Sequence, residues 1–185
     1  MRLIDAVNVV IEGLGESRIV DINASNPTAG LAKAAIDRTR RGTLSTGWWF
    51  NTIERTVAPT DNPGNIKVPW QQLSIYGEDG RKYAERDGVL YDLVEQTKVF
   101  TAPVKLRVCI DIAFEDLPEY MAMWIAYEAA AQVYLNDLGK DGNYVQLIST
   151  AGTYEALNYR EHLRNQNYST KRTSRAARIR RGFVI

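Results

Sequence analysis

The sequence predicts an α+β fold: an antiparallel bundle of about four helices, an inserted antiparallel β-sheet domain, and an extended C-terminal arm. Three observations predict it. Apolar residues recur at helical spacing before residue 48 and after residue 112, but not between them. The middle stretch instead alternates apolar and polar residues around turn signals. The last stretch is rich in arginine and offers few apolar side chains to a core.

Two helices are predicted in the first part of the chain. Residues 3–14 repeat apolar side chains at helical spacing, and Gly15 stands where a helix commonly ends in a left-handed residue. The second helix begins at Pro27, a residue that fits the first helical turn, with Ser25 or Asn26 as its cap.

Antiparallel strands are predicted over residues 48–112. The clearest signal is Asp87-Gly88 between two alternating runs, which is the signature of a type I′ hairpin turn. One strand is predicted to begin with Trp49 and Asn51, and a further strand covers residues 104–112.

The longest apolar helix is predicted to run from Pro118 to Leu138. Asp116 is placed to cap it, and Pro118 fits its first turn. Because a helix that is apolar nearly all round is buried on several sides, we expect part of its surface to contact another subunit. The residues predicted for that interface are Met121, Trp124, Tyr127 and Glu128.

A fourth helix is predicted over residues 143–166, with Val145, Ile148, Leu157 and Leu163 along one apolar face. Beyond it lies a basic stretch that ends in apolar residues. That ending favours docking on a protein surface, because DNA offers nothing to an apolar anchor. The predicted docking residues of this arm are Lys171, Arg172, Arg175, Arg178, Arg180, Arg181 and Phe183.

These elements divide the chain into three parts. Residues 1–47 together with 113–167 are expected to form the helical bundle domain. Residues 48–112 form the antiparallel β domain, and residues 168–185 form the basic C-terminal arm.

Composition excludes several classes of function. A net charge of +1 excludes a generally basic coat for nucleic acid. With one cysteine, Cys109, and one histidine, His162, the chain can hold neither an internal disulfide nor a histidine-rich metal site. We expect no catalytic residue, no cofactor and no metal. No secretory signal or membrane span is expected, so the chain should fold in a cytoplasm.

Two alternatives to a structural role stay open at this stage. The acidic residues Asp111, Glu115, Asp116 and Glu119 could serve a glycan hydrolase of the cell envelope, although helix capping explains at least two of them better. The basic arm could instead make the protein a DNA-binding module, which would show a steep dependence of affinity on salt.

The order of several motifs resembles one known family. The carrying segments are DAVNVVIEGLGE near the start, the SxGWWFN run from Ser45 to Asn51, the GVLYD strand from Gly88, and FEDLPEYMAMWIAYEAA from Phe114. In that order and at that spacing, over about residues 5–165, they resemble the tail tubular protein A family of T7-like short-tailed bacteriophages. The arginine-rich end matches this pattern least.

The resemblance implies a structural virion protein rather than an enzyme. Members of that family are head-to-tail adaptors that form a ring, twelve-fold in T7-like virions, between the portal and the tail nozzle. DNA passes through the lumen of the ring without specific binding. The implied partners are therefore the portal protein, the nozzle protein and further copies of the chain, with no membrane partner. The implied location is the connector in the virion tail, assembled in the host cytoplasm.

Overall fold

The computed structural model describes residues 1–23, 26–60, 64–68, 72–77 and 80–166. Over these residues the chain is a mixed α+β protein with four α-helices and two small antiparallel sheets. Ser25 and the predicted docking residues of the arm lie outside the described residues. No helix of the described part is long and apolar enough to cross a membrane.

The first two helices are α1 (Leu3–Gly13) and α2 (Pro27–Leu44), and local signals set their ends. At the end of α1, Gly15 has a φ of 81°, and the N–H of Glu16 donates to the carbonyl of Ile11 at 3.1 Å, which is the Schellman arrangement. At the start of α2, the side chain of Asn26 accepts a hydrogen bond from the N–H of Ala29 at 3.1 Å. Both predicted ends are confirmed.

The other two helices are α3 (Glu119–Asp137) and α4 (Gly142–Asn165). The predicted start of α3 is wrong. A short 3₁₀ turn covers Phe114–Asp116, and Pro118 is extended, with φ −53° and ψ 144°, in the cap position itself. Leu117 is extended because a residue before proline avoids the helical region, so Asp116 belongs to the preceding turn and does not cap α3.

The strands are β1 (Thr52–Val57), β2 (Gln72–Gly77), β3 (Tyr83–Arg86), β4 (Val89–Asp92) and β5 (Val104–Ile110). Antiparallel pairing gives a three-stranded sheet in the order β1-β5-β2 and a separate hairpin of β3 and β4. Asp87 and Gly88 have φ values of 57° and 75°, which confirms the turn that was predicted between the hairpin strands. Trp49 and Asn51, predicted as strand residues, lie in the turn before β1.

The described residues form two separate hydrophobic clusters. In the first, α1, α2 and α4 pack on α3, and alanines on facing turns let the helices approach closely. Its largest fully buried apolar side chains are Val7, Val10, Ile11, Ile36, Leu44, Met121 and Ile125. The second cluster lies in the β part and consists of Ile66, Val68, Tyr83, Leu90, Leu106 and Val108. The exact domain boundaries stay a prediction.

Polar side chains join the helices to the sheet. Asn51 is fully buried, and its amide nitrogen donates to the carbonyls of Leu44 at 2.9 Å and Ile110 at 3.1 Å. The oxygen of the same amide accepts from the N–H of Trp48 at 2.7 Å. Nearby, Arg40 binds both Asp111 and the carbonyl of Ile112. These contacts hold the end of α2 against the end of β5.

Candidate interaction surface

The described residues offer few side chains arranged for metal binding or acid–base catalysis. No group of three or more histidine, cysteine, aspartate or glutamate side chains in this part of the chain could hold a metal ion. In the acidic cluster, Asp111 is bound by Arg40, and Glu119 accepts from the Met1 ammonium at 2.8 Å. These two carboxylates are therefore held in ion pairs, and the hydrolase alternative gains no support from them.

A cleft of about 870 Å³ lies between the β3–β4 hairpin and β5. Two of its carboxylates, Asp92 and Glu95, share Arg81, at 3.5 and 3.2 Å. Asp92 is almost fully buried and also accepts from the N–H groups of Val94 and Glu95. These bonds give Asp92 a turn-forming role that accounts for its burial without any catalytic one.

The predicted interface on α3 is largely covered within the subunit. Met121 has no exposed surface and belongs to the core, so it has nothing to offer a neighbouring subunit; this part of the prediction is wrong. Trp124, Tyr127 and Glu128 are half-buried. The cause is α4, which packs along the same side of α3.

Aromatic contacts between α3 and α4 account for most of that cover. Tyr127 stacks on Tyr154 with ring centroids 5.7 Å apart and an angle of 15° between the rings. Trp124 lies 6.4 Å from the ring of Tyr159. Burial raises the pKa of Tyr127, because the phenolate would lose its hydration there. The apolar excess of α3 is thus used to hold α4.

A further aromatic cluster fixes the far end of α4 to the turn before β1. Trp48 meets Trp124, Tyr159 and the ring of His162 edge to face, at 5.7, 5.0 and 5.2 Å. The N–H of Trp49 donates to Nδ1 of His162 at 3.1 Å. Burial lowers the pKa of His162, which favours the neutral ring that this hydrogen bond requires.

One residue of the α3–α4 contact has no counterpart in the sequence-based predictions. Asn158 is fully buried on the inner face of α4, and neither its amide nitrogen nor its amide oxygen has a hydrogen-bond partner. A buried polar group without a partner costs about 1–3 kcal/mol. The only signal in the sequence is its helical spacing from Ala151, the other buried residue of α4.

The apolar face that was predicted for α4 does not face the core. Val145 and Leu163 are 52% and 47% exposed, and the other two predicted members, Ile148 and Leu157, are only half-buried. The inner face instead carries Leu147, Ala151, Tyr154 and Asn158, which includes two polar side chains. Periodicity alone favoured the more apolar of the two faces, and that face is the outer one.

The outer face of α4 is a continuous apolar stripe. Its members recur every three or four residues, as one side of a helix requires. Val145 at one end and Leu163 at the other are about half exposed, as is Tyr159 at 49%. The middle of the stripe projects less from the helix, because it holds the exposed small residues Gly152 and Ala156. We define the α4 outer stripe as Val145, Ile148, Gly152, Ala156, Tyr159 and Leu163.

Comparisons with known proteins identify the family to which the chain is similar. A family model described as "Tail tubular protein" matches residues 4–172. A curated protein named "Tail tubular protein A", from Klebsiella phage KP34, is 57% identical over 188 residues. That match covers 100% of this chain and 100% of the relative.

Proposed function

The chain belongs to the tail tubular protein family, and from that premise we propose that it is the head-to-tail adaptor of a T7-like short-tailed phage. The family is one of structural components of the virion tail. The finer proposal is a ring, with twelve copies as the expected number, that joins the portal to the tail nozzle and lets DNA pass through its lumen.

One observation carries the ring proposal: the α4 outer stripe is apolar and mostly exposed, although Tyr159 also contacts the rings of Trp48 and Trp124 and Ile148 is half-buried. Large contiguous apolar surfaces on soluble proteins commonly mark sites of protein association. When such a stripe meets a different surface of the next copy, the contact is head-to-tail, and a head-to-tail contact that closes gives a ring. The net charge of +1 suits a conduit, because a strongly basic lumen would bind DNA and slow its passage.

The architecture proposed for this role is the helical bundle with an inserted β domain. Residues 1–47 and 113–167 form the bundle, and residues 48–112 form the insertion. The separation of the two hydrophobic clusters supports that division. The bundle is expected to meet the portal, and the β part to meet the nozzle protein.

The basic arm, residues 168–185, is proposed to dock on the portal or on a neighbouring copy. The residues proposed to make this contact are Lys171, Arg172, Arg175, Arg178, Arg180, Arg181 and Phe183. Each contact is weak, but a ring presents many copies, so that binding is strengthened by avidity. Assembly is expected in the host cytoplasm, before the tail is completed.

The experiment is a mass measurement of the purified protein, alone and mixed with portal protein, by native mass spectrometry and by imaging. A closed ring of about twelve copies on the portal is the expected result. The matched variant lacks residues 171–185 and should bind the portal more weakly. A protein that stays monomeric in both conditions would refute the ring.

A further inference from the structure

The starting point is that the α4 outer stripe is larger than the subunit needs. From Val145 to Leu163 it extends for about 27 Å, at a rise of 1.5 Å per residue. Leu138, in the turn before α4, is 56% exposed at the Val145 end and continues the apolar surface. Tyr159 also packs against Trp48 and Trp124, but Val145, Gly152, Ala156 and Leu163 stay exposed, so most of this surface is not used inside the described subunit.

The middle of the stripe gives a second observation. A Cβ placed on Gly152 would meet no atom within 4 Å, so packing inside the described subunit does not require glycine there. A glycine inside a helix nevertheless costs about 1 kcal/mol relative to alanine. Gly152 and Ala156 leave a shallow groove between the larger side chains of Ile148 and Tyr159, and such a groove suits an apolar side chain from outside.

The two ends of the α4 outer stripe differ in charge. At the Leu163 end, Arg160 and Arg164 are exposed. At the Val145 end, Asp137, Lys140 and Asp141 are exposed, so two carboxylates stand beside one ammonium; the hydroxyl of Tyr134 donates to Asp141 at 2.6 Å and lowers the pKa of its carboxyl. The Val145 end therefore attracts a basic segment and the Leu163 end repels one.

The chain itself contains a segment of matching chemistry. Residues 167–185 follow directly after α4; they hold six lysine and arginine side chains, and after these come Phe183, Val184 and Ile185. Folded back on its own helix, this segment would bring its basic residues past Arg160 and Arg164. On another copy, it could approach from the acidic end and place its apolar residues in the groove.

The length of the C-terminal segment also favours docking on another copy. At about 3.4 Å per residue, the segment reaches about 60 Å from the end of α4, twice the length of the stripe. A compact chain of this size has a radius of gyration of about 16 Å and hence a diameter of about 40 Å. The reach of about 60 Å therefore exceeds what the segment's own stripe requires and is enough to span the distance of about 40 Å to a neighbouring subunit.

We propose that the α4 outer stripe is the docking groove for the C-terminal segment of a neighbouring copy. Phe183, Val184 and Ile185 lie over Gly152 and Ala156, and the preceding basic residues face Asp137 and Asp141. This inference rests on the proposed function, because it requires neighbouring copies in an assembly. It makes the arm a link between subunits, so that each copy holds the next.

The test is disulfide cross-linking between two variants of the full-length protein that each add one cysteine, mixed together with portal protein. Ile185→Cys reports on the segment, and Ala156→Cys reports on the groove. Thr153→Cys, also exposed on α4 but outside the stripe, is the matched control. Cys109 is buried and should contribute little background. We expect disulfide dimers from the Ala156→Cys mixture in about tenfold excess over the Thr153→Cys mixture.

A second pair of variants measures assembly directly. Ala156→Glu places a charge in the groove and should weaken self-association about tenfold or more, whereas Thr153→Glu should leave it unchanged. Two results would show that the segment of a neighbouring copy does not occupy the groove. One is equal cross-linking of the Ala156→Cys and Thr153→Cys variants, and the other is a disulfide within one chain of the Ile185→Cys, Ala156→Cys double variant. An intact ring without the Ala156 cross-link overturns this inference alone, and a protein that never assembles overturns the proposed function with it.

Discussion

Two buried asparagines allow the energetic role of the helix–sheet junction to be measured. Asn51 and Asn158 are both fully buried, but only Asn51 has hydrogen-bond partners. Asn51→Ala is therefore expected to lower the free energy of unfolding by about 3–5 kcal/mol, and Asn158→Ala to change it by less than about 1 kcal/mol.

The magnitude for Asn51 follows from its three side-chain hydrogen bonds, at 2.7, 2.9 and 3.1 Å. At about 1 kcal/mol net for each bond, their loss gives the lower value of about 3 kcal/mol; truncation leaves the N–H of Trp48 and the carbonyl of Leu44 buried without this partner, which raises the loss towards about 5 kcal/mol. At Asn158 truncation leaves no partner behind. The two changes remove the same atoms, so their difference isolates the hydrogen bonds.

Equilibrium urea unfolding is the assay, at a protein concentration where ultracentrifugation shows a monomer. With a slope of about 2 kcal/mol per molar urea, a loss of about 4 kcal/mol lowers the midpoint for Asn51→Ala by about 2 M. The midpoint for Asn158→Ala should stay within about 0.5 M of the parent. Equal losses for the two variants would refute the reasoning, because burial alone would then explain both.

Three further changes have expected outcomes on the same protein. Burial lowers the pKa of His162 from its ordinary value of 6.5, so the neutral ring stabilises the fold above pH 6.5, and this contribution is lost as the pH falls through the folded pKa. The variant His162→Asn keeps an acceptor that does not titrate. Its thermal unfolding temperature should therefore fall less steeply at acid pH than that of the parent protein. Gly88→Ala should destabilise by about 1 kcal/mol or more in urea unfolding, because Gly88 has a φ of 75°, and an unchanged midpoint would contradict the turn assignment. Gly152→Ala should raise the free energy of unfolding of the monomer by up to about 1 kcal/mol, since the added Cβ meets open space in a helix; a loss in the same urea assay would show that glycine is needed inside the subunit.

Local signals were the ones that sequence could predict well. Gly15, Asn26 and the Asp87-Gly88 turn act through hydrogen bonds or backbone conformations that span only a few residues. Their outcome depends little on the rest of the chain. The α+β class and the order of helices and strands follow from the same local preferences, summed along the sequence.

Predictions failed for two different reasons, one local and one that depends on distant segments. Asp116 and Pro118 have the right residue types for the start of a helix, yet the extended Leu117 shifts the start of α3 to Glu119. Asn51 carries no mark of its importance in the sequence, because its partners Leu44 and Ile110 meet only when α2 and β5 are brought together.

The sequence alone determined that α3 carries more apolar surface than one face needs and that α4 is amphipathic. Only the tertiary structure decided which surfaces remain free. Because α4 packs its more polar face on α3 and covers Tyr127 with Tyr154, the larger exposed apolar surface is the α4 outer stripe and not α3. Periodicity measures how apolar a face is, but burial depends on which neighbour reaches that face, and that neighbour is known only once the chain has folded.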